Sequence, residues 1–330
     1  QGYSSAASDV YKRQVIDAWT EHSVQMDEAM IKLEAGKTYK LQVEYFDNGG
    51  DCFAGLYWKA PSAGSQNVLA RFGDAGKVAA ECDVTVAVLG INKSIEREGQ
   101  DRFSLELPVD QQEFIKELYK VNPNTVVVLV AGSSMAVNWM DENVPAILNA
   151  WYPGEQGGNA VAEVLFGDYN PGGRLPLTYY NSLDEIPAFD NYSVKGRTYQ
   201  YFEGQPLYEF GYGLSYTKFR YKSKGVNVEQ DTVKVSFEVS NTGKYDGDEV
   251  TQVYVKYPET GTYMPLKQLH GFKRVHIKKG KTSKVTIGVP KKDLRYWDEQ
   301  ERKFVTPKGE YTFMVGASSE DIKFRETVGL

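Results

Sequence analysis

Three uninterrupted apolar runs constrain this chain more than any other feature: Val84 to Leu89 (VTVAVL), Thr125 to Val130 (TVVVLV) and Pro145 to Ala150 (PAILNA). Helical patterns separate them. Pro108 to Val121 puts Phe114, Ile115 and Leu118 on one helical face, and Ala70 to Cys82 reads as a helix leading into the first run. A strand that is apolar on both faces and alternates with helices belongs in a parallel sheet covered on both sides. Gly157 to Phe166 is the next predicted helix, and its small residues Gly157, Gly158 and Ala160 permit close packing. The first fold expectation is therefore an α/β sandwich domain with a mainly parallel sheet, closing near Tyr179.

The pattern changes beyond Tyr216, where residues alternate with turn signals through Val233–Val239, Glu249–Tyr257, His270–Ile277, Ser283–Val289 and Tyr311–Val315. Short strands punctuated by turns predict a β-sandwich. Between the two domains, residues 180–215 are polar, aromatic and without period, which suits a long connector lying over other domains, and such loops are usually functional. Upstream, short strands are expected at Val15–His22, Met30–Leu33, Tyr39–Phe46 and Phe53–Trp58, too few to close a sandwich, so sheet edges would be left unpaired. Residues 61–66 (PSAGSQ) read as a linker. Residues 1–14 (QGYSSAASDVYKRQ) lack an initiator Met and any clear apolar period, and are set apart as a non-native leader. The expected organisation is leader 1–14, partial β module 15–66, α/β domain 67–180, connector 181–215 and β-sandwich 216–330.

A net charge of -6, with no Lys/Arg cluster unopposed by acids, argues against a nucleic-acid partner. Cys52, Cys82 and the scattered His22, His270 and His276 make no zinc spacing, so no metal site is expected, and both thiols are expected to be free. No run is long enough for a transmembrane helix. The chain is rich in aromatics, with 23 Tyr, 15 Phe and 5 Trp, which suits sugar stacking and equally suits β-rich cores.

The chemistry concentrates in Ile91-Asn92-Lys93-Ser94-Ile95-Glu96-Arg97-Glu98-Gly99-Gln100-Asp101-Arg102, directly after the first apolar run. The carboxyl end of a strand in an open α/β sheet is where ligands and catalytic groups collect. Glu98, ahead of a glycine, is the candidate proton donor, since a carboxyl group held among apolar walls can act as an acid near neutral pH. The plainer reading is a solvated loop whose charges pair with one another. Ser133-Ser134 lacks the following glycine of a hydrolase elbow. Gly154–Gly158 lacks the Lys-Ser/Thr ending of a nucleotide loop, which leaves tight packing as its purpose.

Four separated motifs in this order closely resemble the carboxyl-terminal half of glycoside hydrolase family 3. They are the Glu98-Gly99-Gln100-Asp101-Arg102 loop, residues 151–158 (WYPGEQGG), residues 165–176 (LFGDYNPGGRLP) and residues 210–219 (FGYGLSYTKF). The likeness spans roughly residues 70–330. Residues 186–192 (IPAFDNY) and 196–202 (GRTYQYF) resemble the β-xylosidase group within the family. Residues 15–66 resemble the closing strands of a PA14 module, and the final sandwich resembles the fibronectin type III-like domain of the family.

The resemblance implies a retaining exo-glycosidase that needs no metal or organic cofactor, acts on an oligosaccharide substrate, and uses Glu98 as general acid/base, with Glu96 as its rival. Glu96, Trp151 and Tyr199 are the candidate substrate contacts, with domain packing the alternative for Trp151 and its neighbour Tyr152. Asp101 and Arg102 are expected to pair and hold the loop. Arg197, Tyr199 and Tyr201 would line a subsite or anchor the connector. The family's nucleophilic Asp lies in an amino-terminal barrel domain to which no stretch here corresponds, so that barrel is the expected partner and this fragment is expected to be inactive alone. A periplasmic or secreted bacterial location is implied too. The expected product is terminal β-D-xylose released from xylo-oligosaccharides, with a β-glucosidase as the alternative; arabinose specificity, linkage preference and oligomeric state stay open. The rival from another class is a noncatalytic carbohydrate-binding or scaffold fragment.

Overall fold

The structure is a computed structural model that describes residues 3–8, 14–18, 27–34, 36–47, 56 and 68–330. The chain divides into two compact units, Gln1–Gly132 with Met140–Asn149, and Ser133–Trp139 with Ala150–Leu330.

In the first unit, β1 (Tyr3–Ser8) is the middle strand of an antiparallel sheet, flanked by β2 (Gln14–Ala18) and β3 (Gln42–Asp47). Residues set apart as a leader thus supply the central strand of this sheet. Met30–Leu33, read as a strand, is irregular, and Met30 is fully exposed. Most of the strand expected at 53–58 lies outside the described residues, as does Cys52, while Cys82 is an exposed free thiol.

The second sheet of this unit joins β4 (Thr85–Gly90), β5 (Thr125–Val130) and β6 (Ala146–Asn149) in parallel, in that order. The helix expected over 70–82 is broken: a 3-10 turn, Val68–Phe72, ends at Gly73, whose φ of 65° admits the kink, before α1 (Ala75–Glu81) begins. Between β4 and β5 runs α2 (Val109–Val121), which starts after Pro108 and buries Ile115 and Leu118, while Phe114 packs on Phe72 with ring centroids 4.5 Å apart. Asn122 ties the helices together by donating to the carbonyls of Ala79 and Cys82.

β5 is the central strand, and Val127 and Val128, on opposite faces, are both buried. At β4 the expectation of cover on both sides fails. Ala87 and Leu89 are buried, but Val86 and Val88 on the other face of this edge strand are 45% and 66% exposed among the described residues.

The remaining helices are α3 (Asn138–Asn143), α4 (Gly157–Phe166) and α5 (Thr198–Tyr201). A Cβ at Gly157 would lie 2.4 Å from the Pro153 side chain, so the glycine-rich start of α4 serves close packing. The sandwich of the second unit consists of β7 (Phe219–Val228), β8 (Thr232–Asn241), β9 (Gly247–Lys256), β10 (Gln268–Ile277), β11 (Thr282–Pro290), the β12 (Tyr296–Asp298) and β13 (Lys303–Val305) hairpin, β14 (Glu310–Gly316) and β15 (Ile322–Gly329). One sheet has the order β10-β9-β14-β15 and the other β11-β8-β7, all antiparallel. Alternate residues of β8 (Val233, Val235, Phe237, Val239) meet Val253, Val255, Phe313 and Val315 in one core.

The segment expected to be a connector is fastened to this sandwich. Phe210 O accepts from Ser319 N, Gly211 O from the Gln252 amide, and Gln200 O from Leu266 N. Arg174 reaches Glu249 at 2.9 Å, where the two side chains are 9% and 3% exposed, and the Tyr221 hydroxyl donates to the other carboxylate oxygen. Burial pushes the Glu249 carboxyl above its ordinary value, while the Tyr221 hydrogen bond and the Arg174 charge pull the other way. Asp248 beside it accepts from Arg274 and pairs with His276; burial alone would raise its pKa, but these hydrogen bonds and charges outweigh it and hold the carboxyl low. Among the described residues no helix is long and apolar enough to cross a membrane.

Candidate active site

The carboxyl end of β4 is locked before the charged loop begins. Gln111, from the first turn of α2, donates its side-chain amide to Gly90 O and accepts from Gly90 N, both at 2.8 Å. A Cβ at Gly90 would lie 1.8 Å from Val130 O, so the close approach of β4 to β5 here requires glycine. The next residue, Ile91, is buried and donates its N–H to Val130 O. These strands are parallel, so the loop after β4 leaves from the edge where β5 and β6 also end.

The loop then makes two turns. Asn92 accepts from the backbone and hydroxyl of Ser94, while its own carbonyl accepts from Ile95 N and Glu96 N. Arg97 and Gln100 next pair in an antiparallel bridge, each N–H donating to the other's carbonyl at 3.0–3.1 Å. Only Glu98 and Gly99 lie between them. Gly99 has φ 73° and Glu98 a negative φ, the signs of a type II turn, which needs glycine at its third position. Glu98 is therefore held at the tip of a closed turn, exposed, with no side-chain partner among the described residues.

The rival carboxylate is engaged. Arg102, 10% exposed, bonds Glu96 Oε2 through Nε at 2.9 Å, in the charge-assisted geometry that holds two chain segments together. The ion pair expected between Asp101 and Arg102 is not formed: Asp101 is exposed, and the guanidinium turns to Glu96. Turning back at Glu98–Gly99 brings residue 102 beside residue 96, so the chain reversal rather than sequence adjacency chooses the pair. Gln111 and Asn92, which hold the loop from either end, were not singled out from the sequence; an Asn two residues before a Ser was a signal for the first turn, whereas nothing local marks Gln111.

The other candidates belong to the second unit. Tyr199 stacks on Phe210 (centroids 4.3 Å), meets Tyr254 edge-on and accepts from Leu269 N, so its ring and hydroxyl attach the connector to the sandwich. Arg197 likewise donates to the carbonyls of Pro187, Ala188, Asn191 and Ser193. Trp151 is half-buried with φ 55°, a left-handed conformation that is uncommon for a large side chain and tends to persist where the surroundings enforce it.

The glycosyl hydrolase family 3 C-terminal domain model matches residues 2–216, and the fibronectin type III-like domain model matches residues 249–319. The chain belongs to glycoside hydrolase family 3. The xylan 1,4-beta-xylosidase of Xylanibacter ruminicola is 43% identical over 225 residues, 68% of this chain and 26% of that protein. The beta-glucosidase of Kluyveromyces marxianus is 36% identical over 314 residues, 88% of this chain and 37% of that protein, and a crystal structure of it superposes on the whole chain with a TM-score of 0.74 at 30% identity, covering 42% of the solved chain. The Bifidobacterium adolescentis family 3 β-glucosidase gives a TM-score of 0.72 at 33% identity over 78% of this chain and 40% of the other. The chain thus spans between 26% and 38% of the length of the curated relatives it matches. The family model takes in both the stretch read as a leader and the stretch read as PA14-like.

Proposed function

We propose that this chain is the carboxyl-terminal part of a retaining exo-glycosidase that releases terminal β-D-xylosyl residues from xylo-oligosaccharides, with Glu98 as the general acid/base. The observation that carries the choice of Glu98 is the closed turn that holds it at the tip without a side-chain partner, while Arg102 occupies Glu96. In a retaining mechanism such a residue first protonates the departing glycosidic oxygen. It then takes a proton from the water that cleaves the glycosyl-enzyme, so it stands about 5–5.5 Å from the nucleophile. That nucleophile is an Asp of an amino-terminal barrel domain in the same polypeptide, and neither step requires a metal or organic cofactor. Trp151, with its strained backbone, is the remaining candidate for contact with the sugar.

Xylose is favoured by the names of two relatives, the Xylanibacter enzyme and the Formosa agariphila beta-xylosidase, 38% identical over 268 residues. A β-glucosidase is the second reading, favoured by the Kluyveromyces protein, which matches more of this chain. The boundaries proposed are a partial PA14-like module that takes in β1 as well as β2 and β3 and runs to residue 66, the α/β domain over 67–180, a connector over 181–215 and the sandwich over 216–330. A relative described as a periplasmic beta-glucosidase, from Salmonella typhimurium, supports an exported enzyme.

The test is Glu98→Gln in the full-length polypeptide. Hydrolysis of substrates with poor leaving groups should fall by about 10²–10⁴-fold, activated aryl glycosides should suffer far less, and azide should restore part of the activity on the latter. If Glu96→Gln behaves this way and Glu98→Gln does not, the two roles are reversed.

A further inference from the structure

The second unit contains a hollow of about 250 Å³ between the connector and the sandwich, remote in sequence from the charged loop. It is smaller than the roughly 300–1,000 Å³ of sites for drug-sized ligands, and its size suits a single ring. Its walls include Tyr201, Tyr263, Tyr296 and Trp297, with Gln268 and Arg295 among the polar groups, and no carboxylate lines it.

The aromatic walls are fixed by their contacts with one another and with neighbouring side chains. Tyr201 stacks on Tyr263 (centroids 5.4 Å, planes 20° apart), and Lys195 Nζ sits 4.7 Å from the Tyr263 centroid. Trp297 faces Phe304 directly across the β12–β13 hairpin, with the rings 5.3 Å apart and nearly perpendicular, yet Trp297 remains 49% exposed. A large indole fixed by a cross-strand partner and still open to solvent is a preorganised platform, because little conformational freedom is lost when a ligand settles on it. Around it, Gln268 uses its carbonyl oxygen to accept from Tyr257, which leaves its amide hydrogens for another acceptor.

We propose that this hollow is an accessory carbohydrate site that takes one neutral pyranose unit of an oligosaccharide. The axial C–H groups of such a ring carry partial positive charge and suit the negative face of an indole. Its equatorial hydroxyls accept from the Gln268 amide and the Arg295 guanidinium. A purely apolar ligand would leave the Gln268 amide without an acceptor, and a cationic one would meet Arg295. The proposal does not depend on the role given to Glu98.

The experiment uses the 330-residue chain, titrated with xylotriose and separately with cellotriose while tryptophan fluorescence and amide NMR shifts are recorded. Saturable millimolar binding is expected, with shifts centred on Tyr263, Gln268 and Trp297. Trp297→Ala should weaken it about tenfold or more, Gln268→Leu should weaken it less, and Glu98→Gln should leave it unchanged. The wild-type shift map decides the matter even if a variant folds poorly. Absence of saturable shifts at these residues with either sugar, or equal binding by a folded Trp297→Ala variant, would overturn the proposal.

Discussion

Arg174 and Glu249 offer an asymmetric test of how a buried ion pair behaves when either half is removed. Both are nearly sealed from solvent, at 9% and 3% side-chain exposure, with Nη2 and Oε2 2.9 Å apart. In Arg174→Met the stranded carboxylate has an escape, because it can take a proton. From its ordinary value of 4.5 to pH 7 is about 2.5 pH units, and at about 1.36 kcal/mol per unit the proton costs at most about 3.4 kcal/mol at pH 7, falling to about 0.7 kcal/mol at pH 5. The sign follows from a folded-state pKa raised above the unfolded one: the variant is relatively most stable at low pH and loses stability as pH rises through the folded value. In Glu249→Gln the stranded guanidinium cannot lose its proton, so no such escape exists, and the cost should be about 3–5 kcal/mol at both pH values. Urea unfolding of both variants beside the unsubstituted chain, at pH 5 and pH 7, measures the difference. A cost for Arg174→Met that is the same at both pH values, or a Glu249→Gln variant within about 1 kcal/mol of the parent, would refute the picture of a desolvated, mutually dependent pair.

Further outcomes follow from other contacts. Asp248→Asn should lower stability above the ordinary carboxyl value of 3.8 and have progressively less effect as pH falls through the lowered folded-state value, because the hydrogen bonds from Arg274 and His276 favour the ionised form; urea midpoints between pH 3 and pH 7 read this directly. Gly90→Ala, which puts a carbon 1.8 Å from Val130 O, should cost about 3 kcal/mol, at the upper end of overpacking, and hydrogen exchange should locate the loss in β4 and β5. Purified as it stands, the 330-residue chain should hydrolyse aryl β-xylosides and β-glucosides no faster than background, since an acid without its nucleophile forms no glycosyl-enzyme; robust turnover would overturn the assignment of the nucleophile to another domain.

The strands with continuous or strictly alternating apolar residues were legible in the sequence because burial on one or both faces writes itself into the order of side chains. β5 and the core strands β8, β9, β11 and β14 fall where that pattern put them. β7 and β15 were overlooked. Each is the outer strand of its sheet, and each interleaves its inward Phe219 and Tyr221, or Phe324 and Val328, with charged residues such as Arg220, Lys222 and Arg325 that blunt an exposed edge. In the loop the sequence by itself determined which residues carry charge, that they follow a strand, and that Gly99 allows a sharp reversal there. Only the tertiary structure decided how they are used. The reversal brings Arg102 to Glu96 rather than to Asp101, and Gln111 locks the strand end from a helix 21 residues further on. Tyr199 is spent on packing because Phe210 and Leu269, distant in sequence, come to meet it. Periodicity records which face of an element is buried; which side chains meet across elements depends on distances that no local pattern encodes.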